Sequence, residues 1–299
     1  MAPPEVTRMP LAYDPPVFRP PSEAESLILQ VTVGCSHNRC AFCSMYRQKR
    51  FRSKPESQVL AEIAQARELL GPEVRRAFLA DGDALCLSTR RLTAVLDALC
   101  EAFPRLRRVG IYANARDVLR KSSSELAELE RRKLSIAYLG LESGDDAVLE
   151  DIEKGATATE IVEAGRRLRE SGIAASVMVL VGIAGRERSR AHARLSAEAI
   201  NQMQPSYISL LTYTPTPGSP LFERVRRGEV ELPGPLESLE EIREFVRALA
   251  CDTLFSCNHS SNYLPLQGRM PGSKASILQY LDAALVGRVP LRPESMRGL

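Results

Sequence analysis

Between residues 27 and 214 the sequence switches hydrophobic period again and again, from strand-like apolar runs to the 3.6-residue spacing of helices. The strand-like segments are 27–34, 76–81, 108–114, 134–143, 173–182 and 207–214. The first helix between them carries Val59, Ile63, Ala66 and Leu70 on one face, and the second carries Leu92, Val95, Leu96, Leu99 and Phe103. A short helix follows over 123–131, another runs from Glu160 to Gly172, and a fifth covers 189–203. Ser88 is placed as an N-cap, while Ser53 with Glu56 and Thr157 with Glu160 have capping-box spacing. Strands joined by helical crossovers pair in parallel, so the alternation predicts an α/β sheet or barrel.

The flanks differ from this core. Residues 1–25 contain seven prolines and little periodicity, which predicts an extended arm. The repeating core is assigned to 26–232, and Pro233-Gly234-Pro235 marks the start of a C-terminal extension, 233–299, over the barrel opening. Within the extension the pattern predicts an amphipathic helix over 237–255 and a last helix over 274–286.

The seven cysteines need a compartment before they can be interpreted. The N-terminus lacks the apolar core of a signal peptide, and no uncharged apolar run approaches the ~20 residues that span a bilayer. A cytoplasmic protein with no membrane partner is expected, with cysteines serving as metal ligands, catalytic groups or core residues rather than disulfides. Net charge is +3, from 40 basic and 37 acidic residues, and aromatics are 5 % with no tryptophan. That balance argues against a nucleic-acid-coating surface or a base-stacking platform, so nucleic acid is not the expected partner.

Cys35, Cys40 and Cys43 crowd the loop after the first strand, among Arg39, Arg47, Lys49, Arg50 and Arg52. Spacing alone leaves two readings open. One is structural thiols or a zinc knuckle completed by His37; the other is an iron–sulfur cluster one protein ligand short, with an open iron for a cofactor.

This loop resembles that of the radical S-adenosylmethionine (SAM) superfamily, whose hallmark is C-x3-C-x2-C after the first strand, with an aromatic residue before the third cysteine. Phe42 holds the aromatic place, and the spacing here is C-x4-C-x2-C. The resemblance runs from the first strand to the sixth. It implies a partial (β/α)6 TIM-type barrel, a 4Fe–4S cluster on Cys35, Cys40 and Cys43, and an oxygen-sensitive enzyme that cleaves SAM reductively. It further implies a 5′-deoxyadenosyl radical acting on a small-molecule substrate, and a reductase such as flavodoxin or ferredoxin. Asp81-Gly82-Asp83 falls where the family receives the SAM amino group, with Asp83 in the acidic role. Glu142 and Ser143 match the ribose and carboxylate contacts, Gly182 lies in the segment beside the adenine, and Asn114 and Arg116 are within reach of the SAM carboxylate. All stand at the carboxyl ends of predicted parallel strands, where α/β barrels gather their sites.

Elsewhere Cys86 and Cys100 read as core thiols, and Cys251 and Cys257 match no cluster spacing. His192 opens a basic helix face with Arg188, Arg190 and Arg194 and reads as solvated surface. The polar run from Cys257 to Tyr263 reads as a loop or as a flap over the barrel, with His259 or Tyr263 meeting substrate. A binding protein carrying zinc or a cluster without turnover is the competing class. Within the enzyme class, a coproporphyrinogen oxidase-like activity or cleavage of a different SAM carbon–sulfur bond are the alternatives.

Overall fold

The computed structural model describes residues 11–298; the predicted arm therefore lies partly outside the described residues. The first expected strand forms as two, β1 (Leu27–Gln30) and β2 (Thr32–Val33), with β2 leaving the main sheet to pair antiparallel with β3 (Arg52–Ser53). This pairing takes Ser53 out of the capping role expected for it: α1 (Glu56–Leu70) begins instead after Pro55, with no side-chain cap.

The chain continues through β4 (Arg76–Ala80), α2 (Thr89–Ala102) and β5 (Arg108–Ala113). Two short helices, α3 (Ala115–Leu119) and α4 (Ser123–Arg131), lead to β6 (Leu134–Glu142). Next come α5 (Asp146–Asp151), α6 (Ala158–Glu170), β7 (Ala174–Val181), α7 (Gly185–Met203) and β8 (Tyr207–Thr212). Ser88 caps α2 through the Arg91 amide, and Thr157 with Glu160 forms the complete capping box of α6.

Beyond α8 (Pro220–Arg226), the expected helix over 237–255 is α9 (Pro235–Ala248), which stops seven residues early. The remainder turns into β9 (Thr253–Cys257), paired with β10 (Leu266–Met270) ahead of α10 (Lys274–Leu285). The reason is visible in burial: Thr253, Phe255 and Cys257 are buried and Leu254 and Ser256 are not, a two-residue period that only a strand satisfies.

The main sheet has the order β1-β4-β5-β6-β7-β8-β9-β10. All neighbours through β9 are parallel, and β10 closes the edge antiparallel. Among the described residues β1 and β10 remain its two edges, so the barrel is open.

Strand alternation divides the apolar residues between two faces. Leu27, Leu29, Ala77, Leu79, Val177 and Val179 join the large core beneath the helices. Ile28, Phe78, Ala80, Ile136 and Tyr138 form a smaller cluster on the other, inner face. Each fully buried side chain such as Leu79 or Phe78 stabilises the fold by about 1.5–3 kcal/mol.

The segment before β1 fills this inner face. Phe78, Tyr112 and Tyr138 meet edge to face on this inner side. Glu23, wholly buried, accepts hydrogen bonds from Tyr138 Oη (2.5 Å) and from Arg108 (2.9 Å). Gly110 leaves the space that Glu23 occupies, because a Cβ there would lie 2.9 Å from its Oε1.

Candidate cluster and cofactor site

Cys35, Cys40 and Cys43 are free thiols, each half-buried, on the loop between β2 and β3. The loop has little secondary structure of its own and is held by side chains. Asp81 Oδ2, at the end of β4, accepts from the Gly34 amide (3.1 Å), Gln30 Nε2 (3.2 Å) and Lys49 Nζ (3.2 Å). Lys49 also donates to the carbonyls of Asp14 and Pro16, binding the N-terminal segment to the loop. Arg47 donates to the carbonyls of Cys43 (3.2 Å), Arg39 (2.9 Å) and Cys40 (2.8 Å). Gly82 is required by close approach: a Cβ there would fall 2.5 Å from the Tyr46 ring and 2.9 Å from Cys35 Cβ. Phe42 packs half-buried against the main core.

Burial raises all three thiols, and Cys40 is pushed up to about 11 by burial first, with Lys154 opposing and Glu142 and the other two thiols adding to it. The thiols thus lie within electrostatic reach of one another. His37, the residue that would complete a zinc knuckle, has its Nε2 2.7 Å from the carbonyl of Glu153. Among the described residues no three such donors converge on a single ion. A cubane cluster spreads its thiolate ligands over separate irons, and three free thiols on one loop suit it.

Asp83, Asn114 and Arg116 come together beside this loop. Ser36 donates to Asp83, Arg116 Nη2 donates to Ser36 Oγ (2.8 Å), and Arg116 lies 3.9 Å from Asp83. Burial, then the neighbouring Asp117, pushes Asp83 up to about 7. Asp83 Oδ1, Asn114 Nδ2 and Arg116 Nε are buried without partners. An unpartnered acid oxygen beside unpartnered donors leaves polar groups of both signs for a ligand to satisfy. Asn114, Arg116, His37, Lys154 and Gly155 line a small cleft here.

Lys154 is the residue that sequence reasoning missed. It bonds Glu142 Oε1 (2.8 Å); burial lowers its pKa, but Glu142 and the thiols of Cys40 and Cys35 more than reverse this, and the net shift is upward. In the sequence its only mark is a basic residue before a glycine, which reads as turn chemistry.

Asp81 commits its Oδ2 to the loop, while its Oδ1 is buried without a partner. Ser143 is also engaged. Its Oγ lies 2.8 Å from His192 Nδ1 and accepts the Asp145 amide. His192, expected at the solvated surface, is only 1 % exposed, because Ser143 and Glu241 of α9 draw it under the helices. Glu241 in turn accepts the Gly182 amide (2.7 Å) and a hydrogen bond from Ser189.

Burial raises Glu241 to about 7 and lowers His192 to about 4. Glu241's contribution to stability is fully present below the ordinary carboxyl value of 4.5 and is lost as pH rises through about 7. Glu241→Gln removes that titration, so its melting temperature should rise relative to wild type between pH 5 and pH 8. A difference that stays flat across this window contradicts a buried, proton-binding carboxyl.

Of the remaining candidates, Cys86 lies near the thiol loop, its electrostatic neighbours including Asp83 and Cys35. Cys86 is half-buried in a turn after β4, Cys100 is half-buried on α2, and Cys251 and Cys257 are buried in the core. His259 and Tyr263 lie between β9 and β10, in a segment fastened on two sides. Asn262 accepts the Thr212 amide and donates to the Leu210 carbonyl, both in β8. Arg292, beyond α10, donates to the carbonyls of His259, Ser260 and Asn262, and Arg297 stacks 3.7 Å over the Tyr263 ring. His259 itself faces Ser261 (2.9 Å). The hydrogen bonds of this segment run to β8, to the chain after α10 and within its own hairpin, none to the thiol loop. Tyr263 borders a cavity of about 170 Å³ with Gly182, Thr214, Ser238 and Arg297.

No helix of the described residues is long and apolar enough to cross a membrane. The model of the radical SAM superfamily matches residues 29–195. A tRNA-2-methylthio-N(6)-dimethylallyladenosine synthase of Hahella chejuensis is 29% identical over 216 residues, 67% of this chain and 46% of that protein. The chain thus spans about half the length of the curated relatives it matches. That relative is named for an RNA product, which weighs against the expectation that nucleic acid is an improbable partner. Among solved structures, Escherichia coli coproporphyrinogen III oxidase, described as a radical SAM enzyme, superposes with a TM-score of 0.54 at 15% identity, covering 74% of this chain and 51% of its own. The radical SAM methyltransferase TsrM of Kitasatospora setae, solved with cobalamin and a [4Fe-4S] cluster, gives 0.54 at 18% identity over 90% of this chain and 55% of its own. At these identities the two structures speak for the fold alone.

Proposed function

The chain belongs to the radical SAM superfamily, and from that premise we propose that Cys35, Cys40 and Cys43 hold its 4Fe–4S cluster and that Asp83, Asn114, Arg116, Glu142, Ser143 and Gly182 surround SAM. As a superfamily member it is an enzyme using a 4Fe–4S cluster and SAM. Held there, a reduced cluster would supply one electron to the SAM sulfonium, releasing methionine and providing hydrogen-abstraction chemistry toward a small-molecule substrate.

The observation that carries the assignment is the set of buried, unpartnered atoms on Asp83, Asn114 and Arg116 next to three free thiols. Asp83 accepts the ammonium and Arg116 holds the carboxylate, while Arg47 and Asp81 keep the thiol loop in register. Lys154 places positive charge beside the thiolates and restrains Glu142. Phe42 and Gly82 close the loop against the sheet and exclude water. His259 and Tyr263 meet the substrate from the β9–β10 corner. The free cysteines suit a reducing, cytoplasmic setting, with the electron delivered by flavodoxin or ferredoxin.

Asp83→Ala and Arg116→Ala should each weaken SAM binding roughly tenfold, the cost of one charge-assisted hydrogen bond, while iron content stays near wild type. Equilibrium dialysis against SAM after anaerobic reconstitution measures this; unchanged affinity in both variants sinks the strand-end assignment.

A second reading, an RNA substrate, is favoured by the tRNA-modifying relative. It predicts binding of bulk tRNA that falls steeply and linearly on a log–log plot as salt rises. Absence of such binding, with 5′-deoxyadenosine formation stimulated by metabolite extract, favours the small molecule.

A further inference from the structure

Four buried polar side chains tie the ends of two strands to two helices. Ser143, His192, Ser196 and Glu241 are each 2 % exposed or less. Ser143 closes β6 onto His192 of α7, and the Gly144 amide donates to Ser196 Oγ (2.8 Å), one turn along the same helix. The approach is close, since a Cβ on Gly144 would strike the Leu195 carbonyl. Glu241 of α9 receives the Gly182 amide just past β7, where φ is +83°, and lies 3.5 Å from His192 Nε2. Its other oxygen takes the Ser189 hydroxyl.

A helix pair joined only for stability would be served as well by apolar side chains, because desolvating a carboxylate costs about what its bonds return. What apolar packing cannot do is fix the direction of a backbone amide. Ser143 and Gly182 are the turns assigned above to the ribose and adenine sides of SAM. Glu241 lies outside the matched span of 29–195, in the C-terminal extension.

We propose that Glu241 is a positioning residue for the SAM site, acting from α9 through Gly182 and through His192 to Ser143. The proposal rests on the SAM-site assignment above. Glu241 touches no cofactor; it sets the two turns that do. The extension is thereby part of the cofactor site and not an appendage beside it.

Glu241→Ala, Glu241→Gln and His192→Phe are to be reconstituted anaerobically and compared for iron content, SAM affinity by equilibrium dialysis, and SAM cleavage at varied SAM. Leu281→Ala, fully buried on α10, supplies a destabilised control. Glu241→Ala should raise Kd and KM for SAM roughly tenfold, the effect of orphaning one buried amide, with kcat and iron content within about twofold of wild type. Glu241→Gln, whose amide oxygen still accepts from Gly182, should restore affinity to within about threefold. If Glu241→Ala fails to fold, His192→Phe carries the same expectation in weaker form, a rise of about threefold or more. Wild-type affinity in Glu241→Ala, or in His192→Phe should the former not fold, overturns the proposal while leaving the SAM site standing. An equal loss in Leu281→Ala overturns it as well, by showing a general effect of destabilisation. Wild-type protein that binds iron but no SAM overturns both this inference and the assignment it rests on.

Discussion

Alanine at any one of Cys35, Cys40 and Cys43 is expected to abolish both iron retention and SAM cleavage, whereas Cys86→Ala and Cys100→Ala keep both. Three thiols on one loop leave a single iron without a protein ligand; losing one more bares a second iron and destabilises the whole cluster. The loop is held in place. Its carbonyls are held by Arg47, its start by Asp81, and His37 is committed to Glu153. Iron-to-protein ratio and 5′-deoxyadenosine formation after anaerobic reconstitution give the readouts. A loop-cysteine variant that holds a full cluster and cleaves SAM at the wild-type rate would overturn the ligand assignment.

Asp81→Ala carries the second large effect, on folding as well as on the cluster. Asp81 is wholly buried and is the carboxylate that neutralises Lys49, whose side chain is only 7 % exposed. Removing one member of a buried pair strands the other charge and typically costs about 3–5 kcal/mol. Here the Gly34 amide and Gln30 lose an acceptor as well. Urea unfolding should show the loss, and reconstituted iron should fall because both ends of the thiol loop are released. Asp81→Asn keeps an acceptor and should retain more of each. Full stability in Asp81→Ala would show that Lys49 finds water or another acceptor, contrary to its three bonds in this structure.

The six-fold alternation was legible because parallel strands buried on both faces and amphipathic helices leave distinct periods, and each of β1, β4, β5, β6, β7 and β8 falls within its expected segment. The thiol loop was legible from spacing. The interruption at Val31 was not, since Val31 is as apolar as a strand requires and the break comes from β3, twenty residues further on. The first three residues of β9, Thr253–Phe255, were absorbed into a helix because so short a strand gives no period that stands out beside fourteen helical residues. His192 misled because its charged neighbours at 188, 190 and 194 describe the outer face of α7, whereas its own partners, Ser143 and Glu241, lie 49 residues away in either direction. Lys154 likewise owes its place to a carboxylate twelve residues earlier. Contacts of this range leave no local pattern.

The bonded group of Glu23, Tyr138 and Arg108 has a consequence for traffic. With Ser22 bonded to Tyr138 (2.8 Å) and Tyr13 to the Ile28 carbonyl (2.6 Å), it lays a polar floor across the inner face of the sheet. A barrel floored in this way is filled from its rim or through the gap between its edge strands β1 and β10.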